Sequence, residues 1–92
     1  MSDDWRGYDF TSIDGRNNFM RSLGWISGWD LRDFHDLGTR QDGKLRVQRE
    51  GVDVLIEWTS DGKKVEMKAH AHNLRLMPSI WAVLDEQHRR FS

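Results

Sequence analysis

Between Lys44 and His72, two turn signals, Glu50-Gly51 and Asp61-Gly62, separate three segments in which apolar and polar residues alternate. That period belongs to strands, and two successive hairpins make one antiparallel meander. The alternation predicts strands over about 44–50, 52–59 and 63–71. Asp-Gly is a favoured pair for a two-residue type I′ turn, and Glu-Gly is a poorer version of it. Counting outward from these turns sets Val47 against Val54, Leu45 against Ile56, Trp58 against Val65, Ile56 against Met67 and Val54 against Ala69. Apolar residues then meet on one face, as a half-buried sheet requires.

The opposite face reads as three rows, Lys44–Glu57–Glu66, Arg46–Leu55–Lys68 and Gln48–Asp53–His70. Most neighbours carry opposite charge, which is the pattern of a solvated face. Two features stand out. Glu57 and Glu66 would be directly opposed, and Leu55 would be a lone aliphatic residue among charges.

Helices are expected on both sides of the meander. Asp14 can cap a short helix through Leu23, with Phe19, Met20 and Leu23 on one face and Gly24 as a left-handed stop. A second short helix is expected from Ser27 or Asp30 to Leu37, its stripe formed by Leu31, Phe34 and Leu37. Pro78 opens a C-terminal amphipathic helix over about 78–91, whose Ile80, Trp81, Leu84, His88 and Phe91 suit the sheet's apolar face. Residues 1–12 carry Trp5, Tyr8 and Phe10 among acidic residues without a regular period, and read as an N-terminal arm. The expectation is an α+β fold: the arm, then a single domain over 13–92 with two short N-terminal helices, a three-stranded antiparallel meander and a C-terminal helix packed on the sheet.

Ninety-two residues form a small core, so the five Trp, four Phe and one Tyr carry much of its bulk. There is no Cys, which removes disulfides and thiolate metal sites and suits a reducing cytoplasm. The first residues hold no apolar run and do not read as a signal peptide. The longest apolar run, Ile80 to Leu84, is far short of a membrane span. A net charge of −1, with both signs interspersed, gives no global attraction to nucleic acid or anionic lipid. Arg outnumbers Lys ten to four and Asp outnumbers Glu eleven to four, a bias that fits GC-rich bacterial or phage coding.

Three groups could carry chemistry. His70-Ala71-His72 would place two imidazoles on one strand face, but no third ligand has a spacing that argues for zinc. Asp30, Asp33 and Asp36 with His35 form a carboxylate ladder lacking the glycine and terminal glutamate of a calcium loop. Glu57 and Glu66 sit on a flat face rather than in a cleft. No nucleophile motif or phosphate-binding glycine loop is present. No catalytic residue, cofactor or metal site is therefore assigned, and the chain reads as non-enzymatic.

Helix, three strands and helix is the element order of double-stranded-RNA-binding domains, a topological likeness only. The stretch before the last helix, Asn73-Leu74-Arg75-Leu76-Met77-Pro78, has one basic residue where those domains carry a phosphate-gripping cluster. Aromatic residues beyond the predicted stripes point instead to contacts with another protein or with a second copy. The candidate contact residues are Trp5, Tyr8, Phe10, Trp25 and Trp29, with Leu55 as a second surface. The leading expectation is a small cytoplasmic adaptor, inhibitor or self-associating accessory protein, without a membrane contact. A nucleic-acid binder using Lys44, Arg46, Lys68 and Arg75 is the alternative, followed by a metal site at His70 and His72.

Overall fold

A computed structural model describes residues 5–26, 28–30, 42–69 and 75–92. The chain runs β1 (Trp5–Asp9), α1 (Ile13–Leu23), β2 (Trp29–Asp30), β3 (Asp42–Arg49), β4 (Val52–Asp61), β5 (Lys64–Ala69) and α2 (Met77–Phe91). All strand pairings are antiparallel, in the order β1-β5-β4-β3-β2. Among the described residues, four full strands thus form the sheet, and the two-residue β2 extends one edge.

The fold is α+β, but its parts differ from the expectation in two ways. Among the described residues there is one N-terminal helix rather than two, and the sheet is not a three-stranded meander. The supposed arm supplies the additional edge strand: β1 pairs with β5 from Trp5↔Lys68 to Asp9↔Lys64. Its hidden period is Arg6, Tyr8 and Phe10 toward the helices and Trp5, Gly7 and Asp9 away from them. Only Tyr8 and Phe10 of the first set are aromatic, so alternation was masked by Arg6.

Where a second helix was expected to begin, Gly28 takes a positive φ of 85° and turns the chain into β2. The Gln48 amide donates to the Gly28 carbonyl at 2.9 Å, continuing the ladder backward. Asp30 is consequently a strand residue rather than a helix cap. Leu31, Phe34 and Leu37 lie outside the described residues.

The β3–β4 hairpin has the register set by counting from Glu50-Gly51, with Leu45 against Ile56 and Val47 against Val54. Both turn residues have positive φ, 51° and 77°, as type I′ requires. The β4–β5 register is shifted by two residues. Asp61 pairs with Lys64, so the central turn residues are Gly62 and Lys63. Gly62 alone has positive φ, 64°, which is the type II′ pattern with glycine first. The shift preserves which side chains face inward but changes every partner: Trp58 meets Met67, Ile56 meets Ala69 and Ser60 meets Val65. It also removes the glutamate opposition, because Glu57 now faces Lys68 and Glu66 faces Thr59.

Both helices cover one face of the sheet. Phe19, Met20 and Leu23 of α1 join Ile80, Trp81 and Leu84 of α2 over Leu45, Val54, Ile56, Trp58 and Met67 in one buried cluster. Ser12, not Asp14, caps α1 by accepting from the Gly15 amide at 2.9 Å. Gly24 ends the helix in a right-handed conformation, φ −70°, rather than the left-handed one expected. Gly15 lies so near the end of α2 that a Cβ would stand 2.7 Å from the Phe91 carbonyl oxygen. The start of α1 and the end of α2 therefore pack side by side. Beneath them Arg16, nearly buried, donates to Ser60 Oγ and to Asn17 Oδ1. That contact supplies a polar partner for the one hydroxyl on the inner face of β4. Among the described residues, no helix is long and apolar enough to cross a membrane.

Candidate binding face of the sheet

Among the described residues, the helices leave the other sheet face open, and pairing fixes which side chains it presents. Its middle row runs Trp5, Lys68, Glu57 and Lys44 across β1, β5, β4 and β3. The next row toward the β4–β5 turn runs Gly7, Glu66, Thr59 and Asp42. On the other side of the middle row, Leu55 sits opposite Arg46. Carboxylates and cations alternate along the middle row and down β5, where Lys64 Nζ stands 3.4 Å from Glu66 Oε2.

Trp5 is the large aromatic group on this face, 45% exposed. Gly7, two residues along the same strand, gives its indole room to lie down. A Cβ at Gly7 would come within 3.4 Å of Trp5 Cη2. Beside the ring is a shallow depression of about 220 Å³ lined by Trp5, Glu57, Thr59, Glu66, Met67 and Lys68. A second hollow of about 140 Å³ continues past Thr59 and Glu66 to Asp61 and Lys64. Thr59 and Glu66 line both hollows and join them into one trough. Sequence inspection named Trp5 but not its surroundings, since they depend on the shifted β5 register and on β1 being a strand.

Of the remaining candidate contact residues, Leu55 alone shares this face. Tyr8, Phe10 and Trp29 belong to the core. Trp25 is 82% exposed but stands in the turn leaving α1. Leu55 is half-buried on the open face. Trp5 and Leu55 are thus the two candidates that share a surface.

A polar cluster on the helical side holds β1 in place. Arg6 Nη1 donates to both oxygens of Asp85, at 2.9 and 2.7 Å, and Tyr8 Oη donates to Asp85 Oδ1 at 2.8 Å. The Arg6 guanidinium also lies 5.4 Å from the centre of the Trp81 ring. His88 Nε2 donates to the Asp9 carbonyl at 2.8 Å, with its ring against Tyr8 and Phe10. Hydrogen bonding to Asp85 raises the Arg6 pKa, while burial, aided by the same carboxylate, pushes the Tyr8 phenol well above its ordinary value. A phenol held neutral and a guanidinium held charged around one carboxylate fasten the N-terminal strand to the C-terminal helix.

Among the described residues, no group of three or more His, Asp, Glu or Cys side chains is placed to hold a metal ion. His70, His72, Asp33, His35 and Asp36 lie outside the described residues. Glu57 and Glu66 no longer form a facing carboxylate pair. Of the basic residues considered for nucleic acid, Lys44, Arg46 and Lys68 share the open face, whereas Arg75 pairs with Glu50 at 3.3 Å beside the β3–β4 turn. The α-βββ-α likeness fails at β1, which adds a strand before the first helix. No family model matches the chain, and neither does a curated protein or a solved structure.

Proposed function

We propose that this chain is a non-enzymatic protein-binding domain that engages its partner through the open sheet face. The observation that carries this reading is Trp5, lying half-exposed over Gly7 beside a trough of alternating charge. An indole offers a large contact area at low entropy cost, and such residues concentrate binding energy at protein interfaces. Alternating charges suit a folded protein surface of complementary pattern better than the uniform charge of a phosphate backbone. Leu55 adds an apolar contact within the charged field. A cysteine-free chain of this kind suits the cytoplasm.

The test is capture from cell lysate by the tagged chain, after nuclease treatment, compared with a Trp5→Ser, Leu55→Asp variant of unchanged circular dichroism. The expected result is a stoichiometric protein partner retained by the parent chain and lost by the variant. Capture of nuclease-sensitive material alone would overturn the reading. So would a protein partner held equally by both chains.

A further inference from the structure

Among the described residues, strand order leaves β1 with one free side, and the ladder to β5 fixes which backbone groups point there. The Phe10 amide donates to the Lys63 carbonyl at 2.9 Å. With the β1–β5 register, the inward groups therefore belong to Arg6, Tyr8 and Phe10. The amides and carbonyls of Trp5, Gly7 and Asp9 point outward, away from the sheet. Exposed strand edges are usually blunted by proline, lysine, a bulge or a covering element. β1 has the sequence Trp-Arg-Gly-Tyr-Asp, without proline or lysine. His88 covers just the Asp9 carbonyl, whose oxygen has a second lone pair to offer.

We propose that β1 pairs antiparallel with β1 of a second copy, about a two-fold axis through Gly7. That register uses every outward group of the strand. It sets Trp5 against Asp9, Arg6 against Tyr8 and Gly7 against Gly7, so no like charges meet. Sliding by two residues in either direction sets Gly7 against Trp5 or Asp9 and leaves part of the described strand without a partner. At the axis, glycine brings no side chain of its own to the seam. This self-complementarity selects a second copy over an unrelated strand, and the pairing is isologous, hence closed. The two open faces merge into one, with a Trp5 on each side of the seam. Strands of five residues bury much less than the ~800 Å² per partner of a standard interface, so the pair dissociates on dilution.

The inference goes beyond the open-face reading and stands on backbone geometry. Leu55 lies two strands inward from the seam. A Leu55→Asp chain therefore examines partner binding without altering β1.

The test is sedimentation equilibrium of the full chain from low micromolar to millimolar concentration, with amide exchange at both ends of the range. The parent mass should approach that of two chains. Exchange at Gly7 and Asp9 should slow as it does so, while Tyr8 stays protected throughout. Gly7→Pro should remain monomeric, because the Gly7 amide points away from β5 and its φ is not positive, so the β1–β5 ladder survives. Gly7→Lys should also remain monomeric, through like charges at the axis, and it serves if the proline variant fails to fold. A parent chain that stays monomeric across the range would overturn the proposal. A dimer that survives a folded Gly7 variant would do so too, since it would be formed elsewhere.

Discussion

Tyr8 shows how one side chain can couple packing to charge. Its ring fills the core beside Phe19, at 5.5 Å between centroids, while its hydroxyl reaches Asp85. The phenol is kept neutral in the folded chain, by burial first and by Asp85 second. In the unfolded chain it ionises near pH 10. Its contribution to stability is thus whole below about pH 10 and is lost as pH climbs from there toward the raised folded-state value. Urea unfolding followed from pH 8 to 11 should show stability falling at the alkaline end. Tyr8→Phe should flatten that fall, and should cost about 1 kcal/mol at neutral pH for the lost hydrogen bond. An equally steep alkaline fall in Tyr8→Phe would place the titration on other groups.

Among elements, the two hairpin turns are the most informative contrast. Glu50 holds a positive φ of 51° that an ordinary side chain adopts at a cost. Asparagine tolerates this conformation, so Glu50→Asn should stabilise the chain by about 0.5–1 kcal/mol, a rise in Tm of a few degrees. The lost pair with Arg75, between mostly exposed side chains, offsets little of that. Thermal unfolding of the variant decides it.

The same turns explain what was legible in the sequence. Glu50-Gly51 could be placed because both residues enter the turn and the apolar pairs Leu45–Ile56 and Val47–Val54 agree with it. Asp61-Gly62 resembled a better turn, yet Gly62 takes the first central position of the other primed type and moves the register by two. A two-residue slip keeps each side chain on its face, so hydrophobic alternation alone cannot detect it. The direct opposition of Glu57 and Glu66 was the available signal against the first register. For α2, a long stripe from Ile80 to Phe91 and an early proline marked nearly the whole element. β1 was missed because Arg6 occupies an inward position, an arrangement that makes sense only beside Asp85, distant in sequence. The candidate face inherited both errors, since Trp5 needs β1, and its neighbours need the true β5 register.

Across the whole molecule, β1 is small but carries a large share of the closure. Tyr8 and Phe10 are both buried, and β1 covers the outer edge of β5. Losing a buried aromatic side chain typically costs about 3–5 kcal/mol, and two such losses approach the ~5–15 kcal/mol that holds a domain together. A chain starting at Thr11 should therefore lose its cooperative unfolding transition and scatter light at concentrations where the parent stays clear. A cooperative, monomeric truncated chain would show β1 to be dispensable.

The Arg6–Asp85 contact also dictates an order of events during synthesis. β1 leaves the ribosome well before its sheet partner at Lys64–Ala69 and its charge partner on α2. The β3–β4 hairpin can form while translation continues, and Tyr8 can already meet Phe19, but among the described residues β1 has no strand partner until the region from Lys64 onward has emerged. Throughout that interval its aromatic residues and backbone groups are free to meet other nascent chains. The contacts of β1 with β5 and α2 thus become available late, although β1 itself is made before every other described element.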